Sequence, residues 1–291
     1  MPRALPKPYA EIERGRTRLR FFHGDAIDIL NALGAGSIDA VVTSPPYNLG
    51  IRYRTYDDGL PRSEYLEWTG AWIQAAKRAL ADTGSLFLNV GAKPSDPWTA
   101  LDVAQAVRPH LELQNIIHWV KSIAIEKALA GTRAGLKDDL AVGHYKPINS
   151  GRFLNDCHEF VFHFSKTGAT PIDRTAVGVK YQDKSNVTRW RQAGADLRCR
   201  GNTWFLPYDT IQSRDKERPH PATFPWRLPA YCLKLHGLDR VRLAVDPFLG
   251  LGSSAIACAQ LGIGFAGIEL DEHYLREAVA RTRAVLNKPP K

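Results

Sequence analysis

Two stretches of this chain carry residue types whose spacing could do chemistry. In Thr43-Ser44-Pro45-Pro46-Tyr47 a hydroxyl, two prolines and an aromatic ring follow the apolar run 38–42. That run, with its adjacent β-branched residues, reads as a buried strand. Pro45 and Pro46 have no backbone N–H to give, so the strand ladder stops there. Each proline also holds the residue before it extended, which leaves a stiff arm at the strand end. Such an arm offers the Ser44 hydroxyl, free carbonyls and the Tyr47 ring at the edge where open α/β sheets bind ligands. The same residues also suit a strand followed by a proline-rich turn with a packed Tyr. The second stretch is Asp246-Pro247-Phe248-Leu249-Gly250-Leu251-Gly252-Ser253, with Glu269 beyond it. Strand, Gly-x-Gly turn, helix, strand and acidic residue together make a nucleotide-binding unit. The glycines allow close backbone approach, and the acid ends its strand where a ribose hydroxyl would lie. Residues 250–255 fit the relaxed fingerprint G-x-G-x-x-A, and Glu269 lies 19 residues after Gly250. A nicotinamide oxidoreductase therefore stays open as a reading. Asp246-Pro247-Phe248 counts against it, because a Pro and a bulky Phe do not belong to the usual dinucleotide turn.

The elements that must position these residues follow from hydrophobic periodicity. A basic arm (Arg14, Arg16, Arg18, Arg20) feeds a strand over 19–22. Asp25 can cap a short helix with Ile29, Leu30 and Leu33 on its apolar face, and it is also a candidate site residue at a strand end. Residues 48–61 form a loop whose mixed aromatic and basic character suits a flap over a nucleic acid, or a plain solvated loop. Beyond it the pattern predicts a helix over 63–80, ended by Asp82-Thr83-Gly84, then a strand over 85–90. A helix over 99–107 and a strand over 113–120 follow. The rhythm breaks at 123–153, which is Gly-rich and irregular, before a strand over 158–164. It returns with a helix over 230–235, strands over 241–245 and 265–269, and helices over 254–261 and from 271 to about 286. Strand–helix alternation of this kind argues for a parallel, doubly wound sheet.

The formal charge of +9 points to a polyanionic partner. Its distribution is more telling: residues 166–218 hold eleven Lys or Arg against six Asp or Glu. There Arg189-Trp190-Arg191, Arg198, Arg200 and Trp204-Phe205 interleave basic and aromatic side chains. That pattern suits a surface gripping a duplex, with a solvated β-rich insertion as the other reading. Arg52 and Arg54 add two candidates in the flap. The hydrophobic share of 44% and charged share of 24% are those of an ordinary globular protein. No run of 18 apolar residues exists, so no membrane association is expected. The N-terminal stretch lacks an apolar signal core. Four scattered cysteines, with no Cys-x-x-Cys pair, read as structural thiols of a reducing cytosol. A cytoplasmic location and no metal site are expected.

The two stretches bracket a third, His220-Pro221-Ala222-Thr223-Phe224-Pro225. In this order the three motifs resemble the β group of DNA amino-methyltransferases, which use S-adenosylmethionine, and the resemblance runs from about Arg20 to Val285. Leu251 departs from it, since the family more often has Ser between the glycines. The resemblance implies an α/β fold: a doubly wound, mostly parallel, Rossmann-like methyltransferase sheet with circularly permuted motif order. It implies a catalytic half over 20–121 and a cofactor half over 219–287. Between them lies an insertion over 122–218 with the target-recognition region, whose strand over 158–164 returns to the core sheet. Asp25, Asp246, Phe248, Gly250, Gly252, Ser253 and Glu269 match the cofactor-binding positions, with Thr223 and Phe224 closing that pocket. Ser44, Pro45, Pro46 and Tyr47 match the target-base motif.

The residue types suit that role. An exocyclic amino nitrogen is a poor nucleophile because its lone pair is delocalised into the ring. Acceptors at its two hydrogens, the Ser44 hydroxyl and the Pro45 carbonyl, favour the nucleophilic form as the transition state develops. Tyr47 would stack on a base flipped out of duplex DNA, and in-line transfer then needs mainly positioning. Methylation at cytosine C5 would need a cysteine in a Pro-Cys arm, and none of the four sits in one. In this family Ser at the first motif position usually goes with the N4 of cytosine and Asp with the N6 of adenine. Ser44 therefore makes cytosine N4 the expected target, with adenine N6 the alternative. A DNA-binding module with a degenerate cofactor site is a third reading, disfavoured because both glycines and Glu269 are present. A homodimer and a cognate restriction endonuclease are partners the resemblance leaves open.

Overall fold

Along several strands the buried apolar residues alternate between two cores, as a sheet covered on both faces requires. The computed structural model describes residues 4–51, 55–56, 58–132, 135–143, 147–189, 196–208 and 223–287. In β2 (Thr17–His23) Phe21 packs into one core and Phe22 into the other. In β3 (Ile38–Thr43) Ala40 and Val42 oppose Val41, and in β4 (Leu80–Val90) Phe87 opposes Leu86 and Leu88. Helices α1 (Ala26–Ala32), α2 (Arg62–Ala79) and α3 (Thr99–Val107) bury Leu30, Trp72, Ile73 and Val103 against the Phe22 side. Three later helices, α6 (Arg227–His236), α7 (Ser253–Leu261) and α8 (Glu272–Leu286), bury Leu233, Ala255 and Leu275 against the Phe21 side.

The main sheet among the described residues starts with β1 (Ala10–Arg14) and β2, then β11 (Gly264–Glu269), β10 (Leu243–Asp246), β3 and β4. It ends with β8 (His158–Ser165), β5 (Glu112–Val120) and β9 (Thr203–Phe205). Pairing is parallel from β2 through β4 and between β5 and β9. β1 lies antiparallel on β2, and β8 runs antiparallel between β4 and β5. The doubly wound, mostly parallel α/β sheet expected from the sequence is present, with one interior strand reversed.

Several boundaries differ from the sequence reading, each for a local reason. β4 begins at Leu80 instead of residue 85: Leu80 is fully buried and pairs with Ile38, so Asp82-Thr83-Gly84 lies in a register shift instead of a connecting turn. β10 begins at Leu243 because the Asp39 carboxylate accepts the N–H groups of Arg242 and Leu243 there. α6 starts three residues early and takes Pro229 into its first turn, where a missing N–H costs nothing. The irregular stretch holds a hairpin of β6 (Ser122–Ile125) and β7 (Leu140–Gly143), with the one-turn α4 (Lys127–Ala130) between them. A second short helix, α5 (Ser185–Arg189), follows β8.

One expectation is corrected outright. Trp204 does not belong to a surface free to grip DNA, because in β9 its side chain is buried, whereas Phe205 beside it is half-buried. Trp204 is 1% exposed, donates from Nε1 to the Gly201 carbonyl at 3.1 Å and meets Tyr231 edge-on. All four cysteines are free, and burial pushes the Cys232 and Cys258 thiols well up. No described helix is long and apolar enough to cross a membrane.

A buried polar chain crosses the sheet. The Asn115 amide donates to His163 Nδ1 at 3.0 Å, which leaves the ring proton on Nε2 to meet Ser85 Oγ at 2.9 Å. Ser85 can then give its own proton to His236 Nδ1 at 2.9 Å. Burial, with His236 adding to it, drops the His163 pKa from 6.5 to about 3. The unfolded chain takes up this proton near pH 6.5 while the folded chain refuses it, so the contribution is complete above that pH and is lost as pH falls. Wild type should therefore lose about 2 kcal/mol relative to His163→Gln between about pH 7.5 and about pH 5, measured by urea unfolding at both values.

Candidate functional site

Four chain segments end at one edge of the sheet: the β2–α1 and β10–α7 turns, the arm after β3, and the end of β11. They enclose a cavity of about 220 Å³ that Asp25, Ser44, Tyr47, Phe248, Gly250 and Glu269 help to line. Pro45 and Pro46 line it too.

The arm is held by more than its prolines. The Tyr65 hydroxyl donates to the Pro46 carbonyl at 2.8 Å. Asn48 follows in the left-handed region at φ +57° and anchors its amide on the Leu60 carbonyl at 2.7 Å. The buried Asp58 carboxylate then collects the N–H groups of Asn48, Leu49 and Ile51 at 2.8 to 3.0 Å. Burial raises the Asp58 pKa while these donors oppose the rise. A carboxylate with three backbone donors holds residues 48–51 to Asp58, which stiffens the arm at its far end.

Tyr47 is only 8% exposed, and its hydroxyl sits in a polar cluster drawn from three neighbouring strands. Ser44 Oγ lies 2.5 Å from it, and Asn89 Nδ2 donates to it at 2.6 Å. Glu159 Oε2 accepts from Tyr47 at 3.2 Å and from Asn89 at 2.7 Å, and Lys121 Nζ pairs with Glu159 Oε1 at 3.0 Å. Burial, then the Glu159 charge, raises the phenol pKa well above its ordinary value. Asn89, Lys121 and Glu159 were missed in the sequence, where each is a lone polar residue at a strand end with no local motif.

On the opposite wall Glu269 Oε2 accepts the Gly250 N–H at 2.8 Å and Oε1 accepts the Asp271 N–H at 2.9 Å. Burial raises its pKa. Asp25 both caps α1, with Oδ1 accepting from Ile27 at 2.8 Å and Asp28 at 3.1 Å, and lines the cavity. Phe248 meets Trp72 edge-on and Trp68 at a tilt, and Trp68 also stacks on Tyr65. Trp68, Tyr56 and Tyr274 line the cavity without having been singled out. A signal for the first existed, since Trp68 and Trp72 are four apart on one helix face.

Other residues named from the sequence stand behind the cavity and shape it. Asp246 is 1% exposed and accepts from Thr43 Oγ1 at 2.6 Å, from the Phe248 N–H at 3.1 Å and from Ser254 Oγ. Burial pushes its pKa up to about 6. This knot ties the end of β3, where the arm begins, to the glycine turn. Gly252, at φ +80°, packs so close to α8 that a Cβ would meet that of Ala278 at 2.9 Å. Ser253 Oγ donates to the Phe224 carbonyl at 2.7 Å, holding Thr223-Phe224 against α7. Among the basic candidates, Arg189 and Arg198 are exposed. Arg200 instead donates to the Val177 carbonyl at 2.8 Å and lies over the Tyr231 ring. Arg52, Arg54, Arg191 and the His220–Ala222 stretch lie outside the described residues.

Strand-end carboxylates, a glycine backbone turned outward and an aromatic wall form a donor set that fits a nucleoside-bearing cofactor. The comparisons agree. A family model described as DNA methylase, for the N6/N4 enzymes, matches residues 38–280. Type II methyltransferase M.ScaI of Streptomyces caespitosus is 28% identical over 294 residues, covering 97% of this chain and 86% of that protein. Among solved structures, the PvuII DNA methyltransferase, described as cytosine-N4-specific, superposes with a TM-score of 0.62 at 17% identity, over 92% of this chain and 91% of that one. TTHA0409 of Thermus thermophilus, crystallised with S-adenosyl-L-methionine, superposes with a TM-score of 0.57 at 19% identity, over 93% and 96%. At these identities the structural likeness concerns the fold, whereas the family model spans most of the sequence, and so the chain belongs to the N6/N4 DNA methylase family.

Proposed function

We propose that this DNA methyltransferase transfers the methyl group of S-adenosylmethionine to the N4 amino group of cytosine in duplex DNA. The observation that carries the choice of base is Ser44: a hydroxyl, where an Asp carboxylate would favour adenine N6, faces the cavity at the root of the arm. The cytosine-N4-specific description of the PvuII enzyme supports it. In this reading Asp25 and Glu269 hold the cofactor's nucleoside end, while Gly250 and Phe248 shape the wall against it. When bound, the cofactor supplies an electrophilic sulfonium methyl. Ser44 Oγ and the Pro45 carbonyl accept the two hydrogens of the target amino group, which frees its lone pair as the transition state forms. The base reaches them only after extrusion from the duplex, where it rests on the Tyr47 ring. The exposed Arg189 and Arg198 are the described candidates for phosphate contacts within a target-recognition region over 122–218. The type II designation of the relatives supports a place in a restriction–modification pair.

Mass spectrometry of nucleosides, from duplex DNA incubated with the protein and labelled cofactor, tests this directly. Labelled N4-methylcytosine is expected. Labelled N6-methyladenine would move the target to adenine within the same chemistry, and label in no base would refute the assignment.

A further inference from the structure

Resting on that reading of the arm, we propose that Glu159 is a positioning residue that fixes which way the Ser44 hydroxyl points. The hydrogen-bond bookkeeping leaves one consistent arrangement. The Asn89 amide must turn its NH2 toward Glu159, because a carboxylate paired with Lys121 only accepts. Asn89 Nδ2 therefore donates both to Glu159 Oε2 at 2.7 Å and to the Tyr47 oxygen at 2.6 Å. The buried phenol keeps its single proton and has two acceptors near, Glu159 Oε2 at 3.2 Å and Ser44 Oγ at 2.5 Å. Were that proton given to Ser44, a phenol lone pair would face the carboxylate with nothing between them. Given to Glu159, it leaves the Tyr47 oxygen to accept the Ser44 proton. Ser44 then has no hydrogen left to aim at the cavity it lines; with both Asn89 Nδ2 hydrogens aimed at Glu159 and Tyr47, the longer 3.3 Å approach of Asn89 to Ser44 Oγ leaves at least one Ser44 lone pair for the cavity. A target amino group, which brings two donors, meets an acceptor instead of another donor.

The parts come from three adjacent strands: Asn89 from β4, Glu159 from β8 and Lys121 from just beyond β5. Both charged side chains are mostly buried, at 14% and 15% exposure, so the pair is shielded and its geometry fixed by packing. Glu159 does not itself line the cavity, and it reaches Ser44 through Tyr47 and Asn89.

Steady-state methylation of duplex DNA by wild type, Glu159→Gln, Tyr47→Phe and the double variant tests this. Gln keeps the size of Glu159 but can donate, which turns the phenol proton onto Ser44. Tyr47→Phe keeps the ring and removes the hydroxyl that takes the Ser44 proton. Each single variant should lose about tenfold to a hundredfold in kcat, with KM for DNA and cofactor within about twofold; Glu159→Gln also leaves the Lys121 charge without its counter-ion, so a lower melting temperature is expected for that variant. Because both act on one hydrogen, the double variant should fall no further than the worse single one. Unimpaired kcat in Glu159→Gln, multiplicative losses in the double variant, or a loss confined to KM overturns the inference. If Glu159→Gln does not fold, Tyr47→Phe still decides, since undiminished kcat there removes the relay. A wild type that methylates no base overturns the reading of the arm and the relay with it, whereas an active wild type beside an unimpaired Glu159→Gln overturns the relay alone.

Discussion

Ser44→Ala should fold as wild type does and lose about 10²- to 10³-fold in kcat. Ser44 is half-buried, and its described side-chain partners are the Tyr47 hydroxyl and, at 3.3 Å, the Asn89 amide. Both partners keep Glu159 as a hydrogen-bond partner after the change, so no buried group is stranded and stability should shift by less than about 1 kcal/mol. In the proposed mechanism, what disappears is one of two acceptors for the amino hydrogens, and with it the preference for the nucleophilic form of the nitrogen. Single-turnover transfer of labelled methyl groups, beside a thermal melt, separates these effects. If the variant keeps more than about a tenth of wild-type turnover, the nitrogen is activated from elsewhere.

The second large effect is expected at Asp246. Ala there strands the Thr43 and Ser254 hydroxyls and the Phe248 N–H inside the protein, at about 1–3 kcal/mol each, so a loss of about 3 kcal/mol or more is expected in urea unfolding. Cofactor affinity, read by calorimetry, should fall with it, because the same carboxylate sets the glycine turn and the strand that leads to Ser44. Asn should be far milder. The folded pKa of Asp246 is raised from 3.8 to about 6, so folding gains from protonation as pH drops below 6 toward 4, and the ionised form opposes folding at neutral pH. This trend runs opposite to that of His163. An Ala variant with wild-type unfolding and binding would show that the knot couples nothing.

Much of this architecture is legible in the sequence because it is written in local patterns. The short apolar, β-branched run before Pro45, the Gly-x-Gly turn and the amphipathic α8 each announce an element within a dozen residues. The cavity lining at Ser44, Tyr47, Phe248, Gly250 and Glu269 was legible through motifs for the same reason. Other parts depend on neighbours distant in the chain. Asp246 sits in a recognisable motif, yet its burial against Thr43 follows only from β3 lying beside β10. Glu159 and Asn89 are ordinary polar residues until the pairing of β4 with β8 places them side by side. Asp58 reads as one of several acids in a polar loop, and nothing nearby says that three amide groups will close on it. β9 is three residues long, too short to show a period, so the core role of Trp204 was hidden behind its basic neighbours.

The reversed strand β8 has a consequence for how such a protein can diversify. β5 runs toward the edge that holds the cavity, and β8 returns from that same edge, with Val120 paired to His158. The chain between those two residues therefore begins and ends at the edge of the sheet that holds the cavity. The chain after β9, which runs parallel to β5, emerges at the same edge. The segment between Val120 and His158 enters and leaves the main sheet at one end, so a change in its length need not shift the register of β5 against β8. In the proposed reading of this insertion, variation in what is recognised is thereby decoupled from upkeep of the sheet that carries the arm.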